Sequence, residues 1–348
     1  MINERFFYST LTKEEKKVYR AINNGVFRHD AEITVHTDIN VERVQDIFFL
    51  TLRDVPGYFY VDQRHAEGWY RTGEVRLTPK YIYDEKESLE YQRKVVEMLQ
   101  KLEPSVEKFG GDQFRTEKFL HDLIVRNVVY DYESLDKDDQ YDAHSIIGPF
   151  FRAKGVCEGM AKAFKLLCNY FGIKCMVVIG DVKAKENNIK ASEKGSDLHA
   201  WNIVKINDKS YHVDVTWDNH YDYAIKHISY DYFNLTTEDI LRDHTPNHKI
   251  PRCEDNDLNY FVFTGSVISD HDMMKAYLKK NYGKKKIVFK LSEDYAALNS
   301  GSKATDMIFR ILYSAIPEKG KLYKYVMYNN KEQRVYRLLR DDTGDEKN

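Results

Sequence analysis

The sequence predicts an α+β protein in three parts, its central part a helix that begins at a cysteine and packs on an antiparallel sheet. Three observations carry that expectation. After Cys157, the apolar residues Met160, Ala161, Phe164, Leu167 and Cys168 recur at helical spacing until Gly172, which can take the left-handed stop. Two strand-like segments, LHAWNIVKI and KSYHVDVTW, flank Asn207-Asp208, a two-residue hairpin signal. Pro104 with Gly110-Gly111, and later HTPNHKIPRCEDND, interrupt the periodic segments twice, and 348 residues is long for one core. The expected units are 1–108, a small α+β module; 109–250, the central unit; 255–340, a small α/β unit; and 341–348, a frayed tail.

In chain order, Thr12 and Glu15 form a capping-box pattern ahead of Val18, Ala21 and Ile22, with Gly25 placed to end the helix. Ile33 to Val35 alternate as a short strand, and Asn40 can cap a helix carrying Val44, Ile47 and Phe48. Tyr- and Val-rich strands come after Pro56-Gly57, and a charged helix fills roughly 85–103. A helix carrying Phe119, Leu123, Ile124 and Val128 ends near Tyr130, and the acidic run 131–142 reads as a surface loop. IKCMVVIG is a buried strand by its β-branched content, and the lysine-rich stretch 181–196 reads as a flap. The last unit reads as strand 260–264, helix 270–282, strand 285–291, helix 303–315 and a hairpin turning at Asn329-Asn330.

Fifty-three basic and fifty-five acidic residues leave a charge of −2, so no global field points to nucleic acid or an anionic membrane. Charges run through MINERFFYSTLTKEEKK, and no later apolar run reaches membrane-spanning length, so the expected location is the cytoplasm. The four cysteines form no CxxC pair, which fits free thiols in a reducing compartment. The oligomeric state is not indicated.

Cys157 stands at a helix start, where unpaired backbone N–H groups and the positive end of the macrodipole favour a thiolate. A nucleophilic thiol needs a base and a group that orients the base. With Asn207 and Asp208 as the turn, Ile206 faces Lys209, and the same register puts His199, Trp201, Asp214 and Thr216 on one face. His199 and Asp214 are then diagonal neighbours. Trp201 and Trp217 could be core aromatics or a wall that keeps water from an ion pair and borders the substrate.

The blocks GVCEGMAKAFKLLCNYFGIKCMVVIGDV, DLHAWNIVKI and YHVDVTWD resemble the transglutaminase-like superfamily, whose members share a papain-like Cys-His-Asp arrangement. The resemblance covers roughly 110–235 and implies a papain-like, transglutaminase-like central domain, with Cys157 as nucleophile, His199 as general base and acid, and Asp214 as orienter. The family often has an aromatic residue where this chain has Met160, a departure that concerns packing. The segment YDYFNLTTEDILRDH resembles the stretch after the triad in bacterial members of uncertain function. Implied is thiol-dependent acyl transfer on amide bonds of a protein or peptide, hydrolysis first and protein transglutamination second. A silent scaffold that keeps the fold is the rival of another class.

The Cys157 N–H is the natural first oxyanion donor, and Tyr130, Tyr132 and His144 are candidates for the second or for substrate contact, His144 reading first as a loop or capping residue. His244 and His248 have i, i+4 spacing, but Pro246 between them argues against a helix presenting both, so no metal and no cofactor is expected.

Overall fold

The capping box at Thr12 forms as expected: its hydroxyl accepts from the Glu15 N–H, the Glu15 carboxylate accepts from the Thr12 N–H, and the helix Lys13–Phe27 begins there. Gly25 does not end that helix but lies within its last turn. The computed structural model describes residues 5–135, 137, 139–183, 198–219, 228–299, 302–314, 316 and 321–341. Asn40 caps the helix Val41–Asp54, which packs with Lys13–Phe27 on a three-stranded antiparallel sheet of Ile33–His36, Glu74–Tyr81 and Val61–Arg71.

The charged helix runs Glu85–Glu107, straight through Pro104. The break expected there fails for a local reason. Pro104 lies exposed in the last turn, so water can satisfy the carbonyl that its missing N–H leaves free. Helix Gln113–Asn127 then stops short of Tyr130, and Val129–Tyr130 instead pair in parallel with Lys154–Gly155.

The central sheet has five antiparallel strands in the order His244–Pro246, Lys174–Val182, Leu198–Ile206, Lys209–Val213 and Phe233–Leu235. Helix Cys157–Tyr170 lies across its middle strands, and the Asn202 amide ties the two layers by donating to the carbonyls of Ala161 (3.0 Å) and Met176 (3.1 Å). Asn207 and Asp208 take φ +47° and +68°, the two positive values a type I′ turn needs, and Ile206 pairs with Lys209. His244–Pro246 thus belong to the central sheet, where the sequence reads an interdomain interruption.

One continuous apolar core runs from Val18, Ile22, Phe48 and Leu99 of the N-terminal part into Leu120, Phe164, Leu167 and Phe233 of the centre. The C-terminal part has a core of its own around Met274, Phe289, Ile308 and Leu338. It stands behind a four-stranded sheet in the order Val267–Ile268, Lys286–Leu291, Val335–Asp341, Lys324–Asn330. Tyr260–Phe263 is a short helix rather than a strand, capped by Asn259, whose side chain accepts from the Phe261 N–H. The last hairpin turns at 331–334 rather than at Asn329-Asn330, because Asn330 still pairs with Val335. Most of the 181–196 stretch read as a flap, and the tail beyond Asp341, lie outside the described residues. No helix among the described residues is long and apolar enough to cross a membrane.

Candidate active site

Cys157 is the first residue of its helix, after Val156, which offers no side-chain cap, so the first-turn N–H groups are left to face the thiol's surroundings. The helix start is pinned by the Val156 N–H on the Ala143 carbonyl at 3.0 Å. Gly159 makes that contact possible, since a Cβ there would come within 2.2 Å of the same carbonyl oxygen. The thiol is nearly buried, among Ala161, Val177, Ile179, Ala200 and Tyr130.

His199 lies opposite Gly180 on the neighbouring strand, where a Cβ would meet both the Thr245 carbonyl and the Trp201 ring. Its Nε2 is 2.8 Å from Asp214 Oδ2, which leaves Nδ1 to serve the nearby Cys157 sulfur. Burial opposes charge on His199, yet the Asp214 carboxylate and the Cys157 sulfur raise its pKa to about 10.

Asp214 does not continue the hairpin ladder, which ends at the pair Asn202 and Val213. Its N–H turns instead to the Tyr232 carbonyl (3.0 Å), and its Oδ1 accepts from the backbone N–H groups of Thr216 (2.9 Å) and Trp217 (3.0 Å). Oδ2 is thereby aimed at His199. Burial alone would push this carboxyl up; the imidazoles beside it win and hold it well below the usual carboxylate range.

Residues 100–215 match the family model of the transglutaminase-like superfamily, a stretch that contains the cysteine helix and both strands of the hairpin. This chain carries a transglutaminase-like core. Kyphoscoliosis peptidase of Mus musculus and that of Homo sapiens are each 30% identical to it over 94 residues, 27% of this chain. The chain spans only 14% of the length of those relatives. A solved structure of a TGase covers 53% of this chain and 50% of its own at 14% identity and a TM-score of 0.22, too loose a superposition to argue from.

Of the other residues singled out in the transglutaminase-like core, Tyr130 comes to the nucleophile. The pairing of Val129–Tyr130 with Lys154–Gly155 packs its ring against the cluster that holds the Cys157 side chain. Burial and then the Cys157 charge push this phenol's pKa far up. Tyr132 stacks edge-on against Tyr130, ring centroids 4.7 Å apart, and is half exposed.

His144 sits in the turn against the helix start but beside Glu158 and Lys162, not beside the thiol, and burial lowers its pKa. Trp201 is fully buried, and its indole N–H donates to His212 Nδ1 at 3.1 Å, so it is a wall rather than an open contact surface. That bond puts the His212 proton on Nε2, facing Thr237 Oγ1 at 3.2 Å, and burial drops this ring's pKa to about 3. Trp217 lies against His199, centroids 5.7 Å apart, and is almost fully buried. Met160 is buried with its sulfur 3.8 Å from Thr216 Oγ1.

His244 is the residue that sequence reasoning missed. Its Nε2 is 3.1 Å from the same Asp214 Oδ2 that holds His199, and its Nδ1 is 2.7 Å from Asp243 Oδ1. The only local signal was the Asp243-His244 pair itself, since a strand as short as His244–Pro246 shows no alternation. Donor atoms of His199, Asp214 and His244 lie within 4.8 Å of one another, the one such group among the described residues that could present atoms to a metal. Both Nε2 atoms, however, stand at N–H···O distance from one oxygen, and a proton accounts for each contact.

Proposed function

We propose that the transglutaminase-like core is a thiol acyl-transfer site that hydrolyses amide bonds of a protein or peptide, with Cys157 as nucleophile, His199 as base and acid, and Asp214 as orienter. The observation that carries the reading is a buried carboxylate 2.8 Å from His199 Nε2, with the Cys157 thiol at a helix start close enough to influence the same imidazole. The Cys157 thiolate attacks the carbonyl carbon, and the carbonyl oxygen takes up the negative charge. The Cys157 N–H donates to that oxygen, and the Tyr130 O–H is the second donor. Collapse expels the amine, which takes the proton from His199. Water then gives a proton to His199 and its oxygen attacks the thioester, returning the thiolate.

In this reading 109–250 is the catalytic unit, and 1–108 and 255–340 flank it as partner or packing modules. All four cysteines are free thiols, which suits a reducing cytoplasm.

Partitioning tests the reaction class. A reactive peptide thioester or amide offered with rising primary amine is expected to give acid as the main product at millimolar amine, and Cys157→Ala to give neither product. Dominant amide product that depends on Cys157 makes the chain a transglutaminase, and turnover that survives Cys157→Ala removes the site altogether. Tyr130→Phe is expected to lower kcat by roughly 10²-fold with a much smaller change in KM, the pattern of a donor used only at the developing oxyanion. A kcat within a few-fold of the parent takes Tyr130 out of the mechanism.

A further inference from the structure

We propose that His244 is a positioning residue of this site, a second, cationic imidazole that acts through Asp214 to set the pH range over which the Cys157–His199 pair is ionised; the inference rests on the acyl-transfer reading above. His244 is fully buried, and each of its ring nitrogens faces a carboxylate oxygen, Nε2 that of Asp214 at 3.1 Å and Nδ1 that of Asp243 at 2.7 Å. Carboxylate oxygens only accept, so satisfying both contacts takes a proton on both nitrogens, and the ring is then positive. Charge alternates along the buried line: Asp243 negative, His244 positive, Asp214 negative, His199 positive, and the Cys157 thiolate at its end.

The cation shares the oxygen that orients His199, and the two rings are 5.5 Å apart. It therefore takes up part of the negative potential Asp214 exerts on His199 and adds positive potential where the thiolate forms. With it gone, both the thiol and the imidazolium give up their protons at higher pH. Among the described residues, the titratable groups around His244 are Asp214, Asp243, His199, Tyr232 and His212. His212 is held neutral by burial, and the phenol of Tyr232 is pushed far up by the same cause. This leaves the two carboxylates and His199 as the charges that His244 balances.

The ring is held from the C-terminal unit. The Tyr232 O–H donates to Asp243 Oδ2 at 2.6 Å, and the Asn330 amide, at the end of the last hairpin's first strand, donates to Tyr232 at 3.2 Å. Packing adds Trp217 and Trp201, with centroids 4.3 and 4.9 Å from the imidazole.

The test needs no substrate. The full chain is treated with iodoacetamide from pH 4 to 10, and the labelling rate of Cys157 is read by peptide mapping against Cys168, Cys175 and Cys253. The parent is expected to show fast labelling of Cys157 with an acid inflection, where the ion pair forms, and an alkaline one, where His199 loses its proton. His244→Gln keeps an amide donor for Asp214 but no charge, and is expected to move both inflections up by roughly 0.5 to 1.5 pH units. His244→Asn, which likewise removes the charge, is expected to move them the same way, and it decides the matter if His244→Gln does not fold. A merely structural role would lower the rate at every pH and leave the inflections in place, and unmoved inflections overturn the proposal. A parent chain whose Cys157 labels no faster than the other three thiols and has no acid inflection overturns the acyl-transfer reading itself, and this inference with it.

Discussion

Asp214→Asn is expected to lower turnover of a reactive amide or thioester by about 10⁴-fold while the protein stays folded. The asparagine oxygen can take the place of Oδ1 and keep the Thr216 and Trp217 N–H groups satisfied. Its NH₂ group then confronts two imidazole Nε2 atoms where the wild-type oxygen accepted from both. His199 must give up its proton on Nε2 and carry it on Nδ1, the nitrogen facing the thiol, and a ring in that tautomer cannot accept the thiol's proton. Asp214→Ala goes further: it leaves two buried N–H groups and two imidazoles without an acceptor, a loss on the order of 3–5 kcal/mol of folding stability. Kinetics beside urea unfolding separate the two effects. An Asp214→Asn protein within tenfold of the parent would remove Asp214 from the mechanism.

The parts of this site that could be read from sequence are those set by neighbours along the chain. The Asn207-Asp208 turn fixes the pairing of Ile206 with Lys209 by its own two positive φ angles, and Gly172, at φ +84°, closes the cysteine helix where expected. The parts that could not be read depend on distant partners. Asp214 leaves the ladder because the Tyr232 carbonyl takes its N–H and Thr216 and Trp217 turn back onto its carboxylate. It still reaches His199, by a turn rather than by the extended register the alternation suggests. His244 arrives only because its strand finds the free edge of Lys174–Val182, pairing with Val182. Tyr130 likewise reaches the thiol through a two-residue pairing with Lys154–Gly155, too short to leave a pattern.

Where expectation and structure part, a single local group usually decides. Four apolar residues at 260–263 suit a strand, but the Asn259 side chain supplies a helix cap. The separate N-terminal module expected from Pro104 and the glycine pair buries Phe48, Leu52 and Leu99 in the same core as Phe164 and Leu167 of the nucleophile helix. Composition cannot reveal that, because an apolar face shows that it is covered and not by what.

Glu117→Gln is expected to stabilise the protein increasingly as pH rises from about 5 to 8, by up to a few kcal/mol. Glu117 is fully buried next to the Asn234 amide, which donates to its Oε2 at 2.9 Å. Burial pushes its carboxyl up to about 8, against the smaller opposing pull of Asn234 and His121. The unfolded chain releases this proton above about pH 4.5, whereas the folded one keeps it until about 8, so the folded state binds more protons across that window and loses stability as pH rises through it. Glutamine has the shape of the protonated acid and nothing to ionise. Other buried groups tilt the parent's own curve. His212, about 3, and His248, about 4, are held neutral by burial and favour the fold as pH rises to about 6.5, the ordinary histidine value. His121, raised to about 9 by Asp122 and Asp218 despite burial, contributes fully below about pH 6.5 and is lost as pH rises through 9. The His212 and His248 terms are common to both proteins and cancel in the difference, and His121 enters it only through its small pull on Glu117, so urea unfolding of the pair at pH 5 and pH 8 reads chiefly the carboxyl. A difference that stays constant between the two pH values would mean that Glu117 ionises at its ordinary value inside the fold, and that water reaches it.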